Sequence, residues 1–192
     1  MTKRLDYYLT PTSPWTYLGH ERFAQISARH GATVEVKAVD YGVIFPQSGG
    51  LPLGKRAPQR QAYRLVELAR WRDFLGVPLN LQPRFFPADP AAAACILCAA
   101  PEDRRMALAG DLLRAVWAEE RNIADAGVLA DVAARNGIAD AAAAVAKGKA
   151  AYERNTQEAL ARQVFGAPTY VYRDELFWGQ DRLDFLDRAL AR

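Results

Sequence analysis

The sequence predicts an α/β fold in which a large all-helical insertion separates two groups of strands. Two observations support this prediction. Short strand-like segments occur only near the two ends of the chain, and most of the sequence between them has helical patterning. The predicted order is β-α-β, then several helices, then α-β-β-α. With 192 residues, 51% of them apolar, the chain can bury a sizeable core as one domain that carries an insertion.

The N-terminal part has the pattern of a β-α-β unit. Residues 5–9 predict a short strand, and the segment from Pro14 to His30 predicts an amphipathic helix that Gly31 ends. From Thr33 to Val39, valines alternate with charged residues, which is typical of a strand. Ser13 is a suitable N-cap for the helix and Pro14 a suitable first residue.

The middle of the chain begins with a segment rich in glycine and proline. From Gly42 to Pro58 we predict a long loop, which is uncommon in a compact domain unless it is functional. From there to about Lys149 the pattern is helical and rich in alanine. Glycine and proline predict breaks in this helical part at Gly76–Pro78, Gln82–Pro90, Gly110, Gly127 and Gly137.

The C-terminal part returns to strands. We predict a helix from about Ala150 to Val164, strands at Thr169–Tyr172 and Glu175–Trp178, and a final helix from Asp181. The predicted domains are therefore a discontinuous domain of residues 1–45 and 150–192, and a helical insertion domain of residues 46–149.

Charge and hydropathy exclude two classes of partner. The net charge of +3 comes from 25 basic and 22 acidic residues spread along the chain, without the basic stripe expected for nucleic-acid binding. No apolar signal segment follows Lys3 and Arg4, and the longest apolar run, Ala91–Ala100, is too short to span a membrane. We therefore expect a cytoplasmic protein with neither a nucleic-acid nor a membrane partner.

Cys95 and Cys98 are the only cysteines, and their CxxC spacing suits a redox centre, half of a zinc site or simple packing. A zinc site would need two more ligands, and the only histidines, His20 and His30, lie on the predicted first helix. The cysteines themselves lie in an apolar, alanine-rich segment, where cysteine behaves as a small buried apolar residue. Packing is therefore favoured over a redox or metal site.

Three motifs carry a family resemblance: residues 13–18 (SPWTYL), 164–169 (VFGAPT) and 175–182 (ELFWGQDR). The order of elements, with a proline opening the third strand, resembles a thioredoxin fold with an all-helical insertion. Together the motifs resemble the 2-hydroxychromene-2-carboxylate isomerase family, which is related to the kappa-class glutathione transferases and has a DsbA-like thioredoxin fold. The likeness covers the whole chain.

The resemblance implies a glutathione-dependent enzyme that interconverts 2-hydroxychromene-2-carboxylate and trans-o-hydroxybenzylidenepyruvate, a step in the catabolism of naphthalene-type aromatics. It implies that Ser13 is catalytic and contacts the sulfur of the glutathione cofactor. It also implies that the Ala167-Pro168 bond is cis and pairs with the glutathione backbone, and that Gln180 and Asp181 hold the γ-glutamyl end.

Two positions depart from the family pattern. The family commonly has an asparagine after the second strand and a lysine on the next helix, where this chain has Gly49-Gly50, Gly54-Lys55-Arg56 and Gln59. Among these residues, Lys55 is our candidate for glutathione binding.

The implied substrate is a small, flat aromatic carboxylate, which requires aromatic walls and a cation. The candidates for substrate binding are Trp15, Phe85, Trp178 and Arg84, with Phe45, Phe86, Lys55 and Arg56 as further options. Core packing is the favoured interpretation for Phe45 and Phe86.

The chemistry of a thiol gives Ser13 a role independent of the family. A free thiol has a pKa of about 8.5, and only the thiolate is a good nucleophile. A serine hydroxyl and a helix N-terminus would both stabilise that anion. The simpler alternative is that Ser13 only caps the helix.

Two other functions stay open: a kappa-like glutathione transferase or peroxidase, and a non-catalytic protein that binds a thiol peptide. The sequence leaves open both a monomer and a homodimer.

Overall fold

The computed structural model describes residues 3–192, and this part of the chain forms four β-strands and eight α-helices. The strands are β1 (Arg4–Leu9), β2 (Thr33–Ala38), β3 (Thr169–Tyr172) and β4 (Glu175–Trp178). The helices are α1 (Pro14–Arg29), α2 (Tyr41–Ser48), α3 (Pro58–Leu75), α4 (Ala91–Ala99), α5 (Glu102–Trp117), α6 (Ala126–Arg135), α7 (Ala141–Ala161) and α8 (Leu183–Leu190). Short 3₁₀ helices cover Leu53–Lys55 and Gln180–Arg182.

The strands form one mixed sheet in the order β2-β1-β3-β4. Strands β1 and β2 are parallel, with Tyr7 opposite Val36, and α1 makes the crossover that a parallel pair requires. Strand β3 is antiparallel to β1, with Tyr170 opposite Tyr7, and β4 is antiparallel to β3. Helices α2 to α7 all lie between β2 and β3 in the chain. The predicted α/β fold with a large all-helical insertion is confirmed.

Both faces of the sheet are covered by helices. On one face Tyr7 packs against Phe23 of α1, with ring centroids 4.6 Å apart. Because side chains alternate along a strand, Tyr8 points to the opposite face, where α2 and α7 pack. There the buried Lys37 Nζ lies 2.6 Å from Glu158 Oε1 of α7. The contact between Tyr7 and Phe23 holds α1 on the first of these faces, and α1 begins at Pro14, shortly after β1 ends at Leu9.

Helix α4 contains both cysteines and packs tightly against α7. Both cysteines are free thiols buried in the main core, which confirms the packing interpretation. Gly148 of α7 allows the close contact, since a Cβ there would lie 1.8 Å from the carbonyl oxygen of Cys95. Helix α4 has only nine residues. Within residues 3–192 no helix is both long enough and apolar enough to cross a membrane.

The prediction of a long loop from Gly42 to Pro58 is wrong for its first part, which belongs to helix α2. Asp40 caps this helix by accepting a hydrogen bond from the backbone N–H of Gly42 (2.7 Å). Gly49, at φ +74°, ends it in the left-handed conformation. The glycines and proline of this segment therefore bound or interrupt a helix rather than mark an irregular loop.

Two of the predicted helix breaks are also corrected. Gly110 lies inside α5, and Gly127 lies in the first turn of α6. A Cβ at Gly110 would lie 3.0 Å from Nε2 of His20, so this glycine makes room for a neighbour on α1. The predicted helix from Ala150 is the second half of α7, and the predicted domain division at residues 149 and 150 falls inside α7. The two-domain description stays a prediction.

Candidate functional site

Ser13 lies between β1 and α1, where it is 7% exposed. Its Oγ accepts a hydrogen bond from the backbone N–H of Thr16 (3.1 Å), which confirms the predicted N-cap. Pro14 occupies the first turn, as predicted. The start of α1 therefore presents its positive dipole end and free backbone N–H groups close to the Ser13 hydroxyl.

Within residues 3–192 the Ser13 hydroxyl proton has no strong acceptor. Its nearest acceptor among the described residues is the carbonyl oxygen of Ala167, at a long 3.5 Å. The oxygen already accepts from the backbone, so the hydroxyl is oriented and its proton remains available to a ligand. Ala167 precedes Pro168 through a cis peptide bond, as the family resemblance implied. The two motifs from opposite ends of the chain are thus brought together.

The segment from Gly179 to Asp181 completes the arrangement. The backbone N–H of Gly179 donates to the carbonyl oxygen of Pro168 (2.8 Å), which places this segment beside the cis-proline. Gly179 has φ +100°, a conformation that glycine adopts readily. Gln180 is buried, at 2% exposure, whereas the Asp181 carboxylate is partly exposed and 2.6 Å from the guanidinium of Arg182.

Unpaired polar atoms lie around the first two turns of α1. In the described part of the chain, Oγ1 of Thr16, the hydroxyl of Tyr170 and Oε1 of Gln180 are buried without a hydrogen-bond partner. A Cβ on Gly19 would lie 2.6 Å from Gln180 Cβ and 3.2 Å from the Tyr170 oxygen, so these groups share one small space. A buried acceptor without a donor is costly, because it loses its hydrogen bonds to water. Gln180 Oε1 can therefore accept a hydrogen bond from a ligand donor such as an ammonium group.

The two tryptophans predicted to bind substrate differ in their surroundings. Trp178 is 51% exposed and its ring packs against that of Phe165 at a tilt, with centroids 4.8 Å apart and an interplanar angle of 59°. The Trp178 ring also covers Gly166, where a Cβ would lie 2.3 Å from the indole nitrogen. Trp178 therefore contacts the residue that precedes Ala167. Trp15 is partly buried against the main core in the first turn of α1.

Three other predicted residues are not brought to Ser13. Lys55 is exposed at the end of a 3₁₀ helix, and the guanidinium of Arg84 lies over the ring of Phe85 (5.2 Å). In residues 3–192, no hydrogen bond, ion pair or ring contact joins these three to Ser13 or to the cis-proline.

Phe45 and Phe86 pack in the protein, as the favoured interpretation predicted. Phe45 lies against Tyr41 with centroids 5.3 Å apart, and Phe86 lies against Trp117 at 4.7 Å.

Sequence reasoning missed the contributions of Gly19 and Tyr170 to the site, and it missed that the guanidinium of Arg64 in α3 lies over the rings of Phe86 and Trp117. A glycine inside an amphipathic helix is a signal for close packing, which could have identified Gly19. Arginines at positions 56, 60 and 64 are spaced by four, which places Arg60 and Arg64 on one face of α3. This spacing was visible in the sequence, but the burial of Arg64 was not.

Comparison with known proteins agrees with this architecture. A family model described as the DSBA-like thioredoxin domain matches residues 4–191. A protein named 2-hydroxychromene-2-carboxylate isomerase from Sphingobium xenophagum is 29% identical over 195 residues, covering 99% of each chain. A solved structure of a 2-hydroxychromene-2-carboxylate isomerase superimposes with a TM-score of 0.84 at 27% identity, over 98% of this chain and 95% of that one.

A more distant relative is a protein named glutathione S-transferase kappa 1 from Caenorhabditis elegans. It is 22% identical over 207 residues, covering 98% of this chain and 91% of the relative. The family resemblance and the thioredoxin-like fold inferred from the sequence motifs are confirmed by these matches.

Proposed function

The chain belongs to the family of DSBA-like thioredoxin domains, and on that premise we propose that it is a glutathione-dependent isomerase of 2-hydroxychromene-2-carboxylate. The product would be trans-o-hydroxybenzylidenepyruvate. The full-length likeness to proteins named as this isomerase supports an isomerase.

One observation carries the proposal: an oriented serine hydroxyl, with its proton available, stands at the helix N-terminus beside the cis-proline. A cysteine at this place would have its thiol pKa lowered by the helix N-terminus and would exchange disulfides. Serine cannot form a disulfide, so it can hold the sulfur of a ligand without bonding to it. The two cysteines of the chain are buried in α4 and are not part of this arrangement.

The residues at this site fit glutathione. The orphaned acceptor Gln180 Oε1 and the partly exposed Asp181 carboxylate suit the ammonium of a γ-glutamyl group, and the Ser13 hydroxyl suits a thiolate. When bound, glutathione supplies a thiolate that adds reversibly to the conjugated double bond of the ring-opened substrate and so permits rotation about that bond.

The protein's part is to hold the sulfur as an anion. The Ser13 hydroxyl would donate to it, contributing about 1.5–3 kcal/mol as a hydrogen bond to a charged atom, and the dipole of α1 would add about 0.5–2 kcal/mol. Since one pKa unit corresponds to ~1.4 kcal/mol, the two together would lower the pKa of the bound thiol by about 1.5 to 3.5 units. The ionised fraction at neutral pH therefore rises by about tenfold or more.

The other predicted site residues keep their proposed roles. Trp178 and Trp15 would provide aromatic surface beside the reacting group, Pro168 would pair with the glutathione backbone, and Asp181 would fix its orientation. Arg84, Phe85 and Lys55 would act on the insertion side of the substrate, although their present contacts do not reach Ser13. We also propose a cytoplasmic location, where reduced glutathione is abundant.

The test is an ultraviolet assay of the chromene substrate with purified protein, with and without glutathione. We expect isomerisation only when glutathione is present, with no net loss of glutathione. Isomerisation at the same rate without glutathione would refute the role of Ser13. Absence of isomerisation in both conditions would refute the activity.

The likeness to the kappa-class transferase favours one alternative, a transferase that consumes glutathione. Both activities need the same thiolate, so the glutathione balance separates them. Steady loss of reduced glutathione with a chlorodinitrobenzene substrate, without chromene isomerisation, would favour the transferase. A rise in melting temperature with glutathione and no turnover would favour the non-catalytic binding protein.

A further inference from the structure

A groove runs along the outer edge of the sheet, starting at Trp178. It has a volume of about 650 Å³ and lies between strand β4 and one side of α8. All four residues of β4 line it. The other wall is formed by residues of α8 and its two flanking segments: Arg182, Phe185, Arg188, Ala189 and Arg192. We refer to this cavity as the β4 groove.

Strand β4 has an edge that no other strand of residues 3–192 covers, because it is the last strand of the sheet. The two-residue hairpin turn directs the backbone N–H and C=O of Glu175 towards β3. The backbone N–H of Gly179 points the same way, since it donates to the carbonyl oxygen of Pro168 (2.8 Å). Backbone groups alternate along a strand, so those of Leu176 and Trp178 point outwards from the sheet. They are available to a further strand.

Apolar side chains flank this open edge. Leu176 and Trp178 project from one face of β4 and are 36% and 51% exposed. Phe185, on the α8 wall, is 55% exposed. Exposed apolar side chains beside unpaired backbone groups favour pairing with another polypeptide.

The charged side chains of the β4 groove are mainly basic. Arg188 and Arg192 are exposed and form no ion pair within residues 3–192, and Arg182 lies 2.6 Å from the Asp181 carboxylate. Glu175 is the one acidic residue in the lining. The groove therefore complements a negatively charged partner.

The acidic residues of α8 lie on another side of this helix, against α1. Asp184 Oδ1 is 3.1 Å from Arg22, and Asp187 Oδ2 is 2.6 Å from Arg29. A second copy of the chain that paired its β4 with this one would bring the arginine-bearing sides of both α8 helices together, and like charges repel. The charges thus favour an acidic partner over a second copy.

We propose that the β4 groove binds an extended acidic peptide segment of a partner protein, which adds to the sheet as a fifth strand. The backbone of the segment pairs with Leu176 and Trp178. Because side chains alternate along a strand, one set faces α8 and carries the negative charge for Arg188 and Arg192, and the other set packs on Leu176 and Trp178. The recognised segment therefore alternates acidic and apolar residues. This inference is independent of the proposed isomerase activity.

The first test uses the wild-type protein and short peptides with blocked ends, followed by fluorescence anisotropy. A fluorescein-labelled Glu-Val-Glu-Val-Glu peptide should bind, and Lys-Val-Lys-Val-Lys should bind at least about tenfold more weakly. Two further acidic peptides carry N-methyl groups, either on the glutamate amides or on the valine amides. Only one set of amides can face β4, so one methylated peptide should lose about tenfold or more in affinity and the other should stay within about threefold.

The second test changes the protein. Leu176→Pro removes an outward N–H without touching the hydrogen bonds to β3, and it should weaken the acidic peptide about tenfold. Leu176→Ala is the matched control, because it keeps the N–H, and its affinity should stay within about threefold. If Leu176→Pro does not fold, the methylated peptides test the same backbone contact on the wild type.

A charge reversal tests the other wall. Arg188→Glu should weaken the acidic peptide about tenfold. Arg154→Glu is its control, since Arg154 is an exposed residue of α7 outside the groove and the change in net charge is the same. It should bind like the wild type.

Four results would overturn the proposal. The acidic peptide could fail to bind at about 1 mM, or both methylated peptides could bind equally well. The two charge reversals could weaken binding equally, which would leave only a general attraction between opposite charges. A dimer in sedimentation that Leu176→Pro dissociates would assign the β4 groove to a second copy instead.

Discussion

Replacing Ser13 by alanine should remove two interactions of one hydroxyl, and they have different consequences. The bond from the Thr16 N–H to Ser13 Oγ caps α1, and its loss should cost about 1 kcal/mol of unfolding free energy. For a chain of this length that is roughly 2–4 °C in melting temperature. The proton that Ser13 holds only loosely towards Ala167 is the one we assign to the glutathione sulfur.

Loss of that donor should slow isomerisation at neutral pH by about 10- to 100-fold, the equivalent of about 1.5–3 kcal/mol for a hydrogen bond to a charged atom. The hydroxyl lowers the pKa of the bound thiol, so the variant thiol should titrate at a higher pH. Its rate should therefore approach the wild-type rate as pH rises, because more of the sulfur is then ionised unaided.

The assay is a pH–rate profile at saturating glutathione for folded wild type and variant. Asp125→Ala is the matched control: its Oδ1 caps α6 by accepting from the Val128 N–H (2.9 Å), far in sequence from the site. It should lose similar stability with no change in the profile. If the Ser13→Ala profile superimposes on the wild type, Ser13 is a helix cap only and our assignment is wrong.

Three further predictions concern binding, packing and the thiols. Asp181→Ala should raise the glutathione KM with saturated turnover within about threefold, since its contact is the same in ground and transition states; an unchanged KM would exclude Asp181 from the site. Gly19→Ala should weaken glutathione binding and lower the free energy of unfolding by about 1–3 kcal/mol, because its Cβ would lie 2.6 Å from Gln180 Cβ. A variant with wild-type stability and wild-type glutathione affinity would contradict this packing argument. Burial raises the pKa of Cys98 to about 11, so Cys95 and Cys98 in the native protein should resist labelling by iodoacetamide at pH 8. Rapid labelling would reopen a redox role for them. Loss of activity when both are replaced by alanine, with the fold preserved, would do the same.

The two ends of the chain could be predicted from sequence because their signals are local. The predicted strands Thr169–Tyr172 and Glu175–Trp178 match β3 and β4 residue for residue. Between them Arg173 and Asp174 have φ +51° and +64°, as a tight two-residue hairpin turn requires. The Ser13 cap and the helix that follows are equally local features.

The middle of the chain was predicted less well, because two of its glycines make room for residues that are distant in sequence. Gly110 accommodates His20, and Gly148 accommodates the backbone at Cys95, so both lie inside helices that local rules would interrupt. Helix α2 was missed, although Asp40 and Gly49 provide capping signals at its two ends.

The candidate site shows the same limit. Motifs placed Ser13, Pro168 and Gln180 together, and the structure brings them into one arrangement. Nothing in the local pattern around Arg64 showed that its guanidinium would lie over Phe86 and Trp117, since that depends on how α3 packs against the rest of the insertion.

The pairing of β1 with β3 also constrains how the protein is made. Ser13 and Ala167 are 154 positions apart, and β1 gains its antiparallel neighbour only through residues 169–171. A growing polypeptide on the ribosome therefore carries β1 with one edge open for most of its synthesis, an edge that can pair with another strand or be held by a chaperone. The arrangement of Ser13 beside the cis-proline therefore forms late, after residues 167 and 168 have emerged.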